Sequence, residues 1–114
     1  MDLLLIGKKL LKSIYGDSIY VDADNIKKHN GLVYYWMLAD LLEPVDGGSL
    51  GIANSAIEKY KVNCVEEKQT QLNLTYYSQS MGRGKILLED TPNKILYPKP
   101  KSVAHIGMKF VCDY

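Results

Sequence analysis

At 114 residues, 46% of them hydrophobic and 24% charged, the chain has the size and composition of one ordinary globular domain spanning residues 1–114. Its formal net charge is +1, from 14 basic and 13 acidic residues, which falls far short of the basic excess that neutralising many phosphates requires. No run of about 18 apolar residues exists, so the sequence contains no transmembrane span and no nucleic-acid partner is expected.

The start, Met1-Asp2-Leu3-Leu4-Leu5-Ile6-Gly7-Lys8-Lys9, has a short apolar patch followed by lysines. A secretory signal has the opposite order, basic residues first and then a longer apolar stretch. Export would therefore require a signal that is absent from this sequence. Leu3 through Leu11 reads as a first strand with a bend at Gly7-Lys8-Lys9. Tyr15-Gly16-Asp17-Ser18 is a turn signal before the β run Ile19-Tyr20-Val21. Asp22-Ala23-Asp24-Asn25 reads as a turn or short helical loop, and His29-Asn30-Gly31 as a hairpin turn. Leu32-Val33-Tyr34-Tyr35-Trp36-Met37-Leu38 has little polar alternation, which predicts a central strand covered on both faces. Residues Glu43 to Ala53, with Pro44 and three glycines, predict a mobile loop.

The second half reads as a meander. From Ile57 to Cys64 the alternation puts Glu58, Tyr60, Val62 and Cys64 on one face. Lys68 to Tyr77 follows, with Leu72, Leu74 and Tyr76 alternating against Gln71, Asn73 and Thr75. Met81-Gly82-Arg83-Gly84 turns the chain into Ile86-Leu87-Leu88. Pro98-Lys99-Pro100 ends extended structure, and Ser102 is a candidate N-cap for a helix over Val103 to Cys112. Val103, Ile106, Gly107 and Phe110 share one face of that helix. A mid-helix glycine costs roughly 1 kcal/mol against alanine, so Gly107 points to a close approach to the sheet. A closing strand over the same residues is the alternative.

The chain has two cysteines. Linking Cys64 to Cys112 would close a loop of about 49 residues, worth on the order of 4 kcal/mol in the chain-entropy account. Their spacing leaves two buried free thiols equally open. No C-x-x-C or H-x-x-x-H pattern accompanies His29 and His105, so no metal site is predicted. Asp22 with Asp24 resembles a calcium loop, yet Asn25-Ile26-Lys27-Lys28 breaks it. A thiol nucleophile would have to combine Cys64 or Cys112 with His105, and no hydrolase or phosphate-binding motif is present. No enzymatic activity and no cofactor are expected. Asn73-Leu74-Thr75 matches a glycosylation acceptor but falls in a predicted strand.

Ile19-Tyr20-Val21-Asp22, then Asn25-Ile26, a hairpin, and Val33-Tyr34-Tyr35-Trp36-Met37-Leu38-Ala39-Asp40 come in an order that resembles the surface-adhesin protein E family. Asn63-Cys64, Tyr76-Tyr77-Ser78, Ser102 and Val111-Cys112 extend the resemblance over residues 15–112. It implies an α+β, mainly β fold: an antiparallel sheet of about six strands with a C-terminal helix packed on it and tied by a Cys64–Cys112 disulfide. It also implies an exported protein of the periplasm, outer surface or medium, related to an adhesin of host matrix and serum proteins that can form a homodimer. The lipidated cysteine of that adhesin has no counterpart here, and Leu5 or Ile6 stands where a tryptophan is expected in the first strand.

The resulting expectation is a non-enzymatic module that binds a protein partner. Nine tyrosines against one phenylalanine and one tryptophan supply half-buried, amphipathic surface. Tyr34, Tyr60, Tyr76 and Tyr77, together with the Glu43–Ala53 segment, are the candidate contact residues. An envelope component that self-associates through a sheet edge or face is the alternative.

Overall fold

The computed structural model describes residues 8–12, 18–46 and 51–114. Eight strands form one antiparallel sheet: β1 Lys8–Lys12, β2 Ser18–Asp22, β3 Lys27–His29, β4 Leu32–Asp46, β5 Ile52–Asn63, β6 Lys68–Tyr77, β7 Ile86–Asp90 and β8 Lys94–Leu96. The main path runs β1-β2-β4-β5-β6-β7, the expected up-and-down meander of six strands. Two short strands lie off it: β3 pairs with β4, and β8 pairs with the half of β6 that β7 leaves open. One helix, α1, covers Val103–Asp113. Of the bend expected at Gly7-Lys8-Lys9, Lys8 and Lys9 lie in β1 in regular register with β2, while Leu3 to Gly7 and the Tyr15 to Asp17 part of the expected turn lie outside the described residues.

Local chemistry explains the turns. Asn30 and Gly31 both take positive φ, 52° and 78°, the backbone that a tight β3–β4 hairpin demands and that Asn-Gly tolerates best. After β5, the Asn63 side chain accepts hydrogen bonds from the backbone N–H groups of Val65 and Glu66, both at 3.1 Å, and so bends the chain at Cys64. Ser102 caps α1 as its spacing predicts, its Oγ accepting from the N–H of His105 at 3.2 Å.

The two faces of the sheet differ. Tyr35 and Tyr60 face each other across β4 and β5 and stack at 5.6 Å between ring centroids. With Ile19, Val21, Val33, Met37, Val62 and the helix residues Met108 and Val111 they form the main core. On the opposite face Leu38 and Ile57 make a smaller cluster with Tyr20, Trp36, Tyr77 and Met81. Burial on both sides is why β4 shows so little polar alternation.

Three expectations are corrected. The Glu43–Ala53 segment is not one loop: β4 continues to Asp46, β5 begins at Ile52, and Val45 pairs with Ala53. Pairing breaks between Asp40 and Val45, where Leu41 to Pro44 oppose only Asn54, so Pro44 sits where its missing N–H interrupts no ladder. In β6, a bulge between Gln71 and Asn73 leaves Leu72 unpaired and reverses the phase, so Gln71 shares the helix side with Leu74 and Tyr76. The helix also buries a different stripe: Gly107, Met108 and Val111 are buried, while Ile106 and Phe110 are half-buried. The reason is Gly107. A Cβ there would lie 2.9 Å from the Tyr35 hydroxyl and 3.0 Å from Met37 Sδ, so the helix axis rests directly over these two side chains.

Candidate binding surfaces

The helix is tied where the spacing allowed. Cys64, in the turn after β5, is bonded to Cys112 in the last turn of α1, with Cα atoms 5.8 Å apart. Both cysteines of the chain are thereby used, and neither is available as a nucleophile. His105 Nε2 lies 3.8 Å from the Glu67 carboxylate.

Beside the N-terminal end of α1, a hollow of about 320 Å³ opens between the helix and the extended arms of β4 and β5. Ala39, Leu41, Val45, Ala56 and Ala104 make apolar walls, Tyr76 stands at one side, and Glu58 lies in the lining. One Glu58 oxygen accepts hydrogen bonds from the Tyr60 hydroxyl and the Gln71 amide, each at 2.7 Å. Burial raises the Glu58 pKa, an effect only partly offset by those two bonds. Burial also raises the pKa of Tyr76, with the Glu58 charge adding to it. The hollow therefore combines apolar walls with a carboxyl group that a nearby cation would help to ionise. Leu42 and Ile52, on the same arms, are 66% and 57% exposed.

The other face of the sheet carries a second opening of about 410 Å³, lined by Asn25, Lys27, His29, Tyr34, Trp36 and Lys59. Lys59 Nζ sits 5.4 Å from the centroid of the Trp36 ring, a cation–π contact. Next to it, Leu32, Lys61, Asn63, Lys68, Thr70 and Ile95 line a smaller hollow of about 230 Å³.

The four tyrosines singled out by sequence do not form one surface. Tyr34 lines the opening beside Trp36, and Tyr76 lines the hollow beside the helix. Tyr77 is half-buried against Leu38 and Ile57, with its pKa raised by burial and then by Glu89. Tyr60 is 3% exposed and stacked in the core, yet it lines the same hollow as Tyr76, with its hydroxyl donating to Glu58. The alternation from Ile57 puts Glu58 on one face with Tyr60 and Val62, and the structure turns that face toward the helix and core, a role for Glu58 that the sequence reading did not assign. Asp22, considered as half of a calcium loop, is buried and accepts from the Asn25 amide at 2.9 Å. Among the described residues no three His, Cys, Asp or Glu side chains converge on a metal position.

The fold is thus an antiparallel sheet with open hollows on both faces, closed by a disulfide-tied terminal helix. The Surface-adhesin protein E sequence profile matches residues 8–113, and the chain belongs to that family, one of adhesin-like surface proteins. The fold is shared with crystal form II of Haemophilus influenzae protein E, at a TM-score of 0.64 and 18% identity over 91% of this chain and 87% of that one. A further structure of Haemophilus influenzae protein E aligns at a TM-score of 0.61 and 20% identity, covering 94% and 84% of the two chains. Protein E from non-typeable Haemophilus influenzae aligns at 0.58 and 18%, covering 91% and 75%. No curated protein sequence matches this chain.

Proposed function

We propose that this protein is a non-enzymatic, exported binding module whose protein partner docks in the hollow between α1 and the β4–β5 arms. The family is one of surface adhesins, which supports a partner of the host extracellular-matrix or serum class. The observation that carries the docking site is the hollow itself: apolar walls that include the exposed Val45, and the Glu58 carboxyl group in the lining. Such a site fits an apolar side chain ending in a cation, because burying the charge against Glu58 satisfies both groups. Tyr76 supplies the aromatic wall that protein interfaces favour.

The test is saturable binding of the protein to immobilised matrix and serum proteins, alongside Val45→Asp. Val45 lines the hollow and is partly exposed, so a charge there spoils the apolar wall without entering the core. The expected result is binding to at least one protein of the panel and its loss in the variant. Equal binding by both would remove the hollow from the account. Self-association is a second reading, supported by β7: its outer edge pairs with no described strand, and Ile86 and Leu88 are exposed on it. Sedimentation over a concentration series separates the two, since a strict monomer contradicts self-association.

A further inference from the structure

The charge of this chain nearly cancels in sum but not in space. Its formal net charge is +1, yet the two adjoining openings on the sheet face away from the helix are lined by Lys27, Lys59, Lys61, Lys68 and His29 and by no acid. Of these, Lys68 alone makes an ion pair among the described residues, with Glu66 at 3.7 Å. The strand register fixes the arrangement. Lys27, Tyr34 and Lys61 lie in one row across β3, β4 and β5, and Trp36 lies beside Lys59 in the next. Neighbouring strands stand about 4.8 Å apart and same-face residues about 7 Å apart along a strand, so the cations form a lattice around two aromatic rings.

We propose that this face binds an acidic polysaccharide, one whose sugar rings carry sulfate or carboxylate groups. A pyranose ring presents partly positive C–H groups that match the negative face of an aromatic ring, and Trp36 and Tyr34 offer such faces. Lysine is a compact point charge that meets anions from many directions, whereas planar bidentate recognition favours arginine. The sole arginine, Arg83, lines neither opening. A nucleic acid presents a continuous line of phosphates and calls for a larger basic excess than this chain has. The surface-adhesin family places the chain where such polysaccharides are met. In the free protein Lys59 rests over Trp36. Binding draws the ammonium to an anionic group and opens the ring to the sugar. The docking hollow near Glu58 lies on the other face and takes no part.

The chain has one tryptophan, so its fluorescence reports on this face directly. The test is titration with a heparin octasaccharide, its desulfated form and a hyaluronan octasaccharide, at low and physiological salt. Polyglutamate and single-stranded oligodeoxythymidine serve as comparison polyanions. The expected result is a saturable change in Trp36 emission with at least one of the saccharides, weakened by salt. Heparin alone identifies sulfate as the recognised group, and binding that includes the desulfated or hyaluronan form identifies the uronate carboxylate. Lys59→Glu with Lys61→Glu should weaken binding roughly tenfold or more, since two attractions become repulsions. Lys101→Glu with Lys109→Glu, on the helix and its approach, should leave it unchanged. Because the charge reversals could disturb folding, the circular dichroism and melting of each variant are read first, and Trp36→Leu, followed by calorimetry, provides a second variant expected to weaken saccharide binding. The proposal is overturned if no saccharide binds, if polyglutamate or the oligonucleotide binds as tightly as the best saccharide, or if the folded Lys59/Lys61 and Trp36 variants bind like the parent. Loss of protein-partner binding in Val45→Asp with saccharide binding retained would separate the two sites.

Discussion

Gly107→Ala sets two well-calibrated effects against each other. Helix propensity alone predicts a gain of about 1 kcal/mol, because alanine restricts the unfolded chain and favours the helix. The packing predicts the reverse. The added methyl would meet the Tyr35 hydroxyl at 2.9 Å and Met37 Sδ at 3.0 Å, both tighter than a comfortable contact. Neither neighbour has room to yield, since Tyr35 and Met37 are fully buried. Tyr35 is further held by stacking on Tyr60 at 5.6 Å and by its hydroxyl donating to Gln69 Oε1 at 3.4 Å. Overpacking of this kind costs about 1–3 kcal/mol. Breaking the Tyr35–Gln69 bond would add about 1 kcal/mol, because the Gln69 amide nitrogen already lacks a partner. The net expectation is a loss of about 1–3 kcal/mol, read as a lower guanidinium midpoint at unchanged slope with the disulfide intact. A variant as stable as the parent, or more stable, would show that α1 does not rest on Tyr35 and Met37.

Replacing Cys64 and Cys112 together by alanine should cost on the order of 4 kcal/mol, the chain-entropy value for cysteines 48 positions apart, measured by denaturation of the oxidised parent and the variant. Equal stability would mean that the bridge constrains nothing. Glu58→Gln should change the pH dependence of stability. The folded state holds the Glu58 proton more tightly than the unfolded state does, so its contribution is full below the unfolded value of about 4.3 and is lost as pH rises through the folded value. The glutamine variant keeps an acceptor for Tyr60 and Gln71, and its stability should fall less between pH 4 and 8. Superimposable pH profiles of the two proteins would refute a buried, proton-holding Glu58.

The sequence carried the scaffold well because its signals are local. Asn30-Gly31, the apolar run through Leu38, the alternation from Ile57 and the Ser102 cap each depend on neighbours in the chain, and each appears in the fold. What it carried poorly depends on partners distant in sequence. The Leu72 bulge reverses the β6 phase only against β5, and the buried stripe of α1 is set by Tyr35 and Met37 beneath Gly107. Pro44 and the glycines that follow read as a loop because nothing in them reveals that Val45 and Ala53 pair again. Counting tyrosines could not separate Tyr34 and Tyr76, which line hollows on opposite faces, from Tyr60, whose ring is stacked in the core. The disulfide lay between: spacing permitted it, the ordered resemblance to the adhesin family implied it, and the 5.8 Å Cα separation realises it.

The most direct test of the docking surface is site-specific photo-crosslinking from two exposed apolar residues on different faces, Val45, which lines the hollow beside α1, and Ile95, which lines the opening on the other face. With a matrix or serum protein that binds the parent, a photoreactive residue at position 45 should capture the partner and one at position 95 should not. Capture from position 95 alone would move the protein-binding surface to the opposite face and contradict the role assigned to the Glu58 hollow.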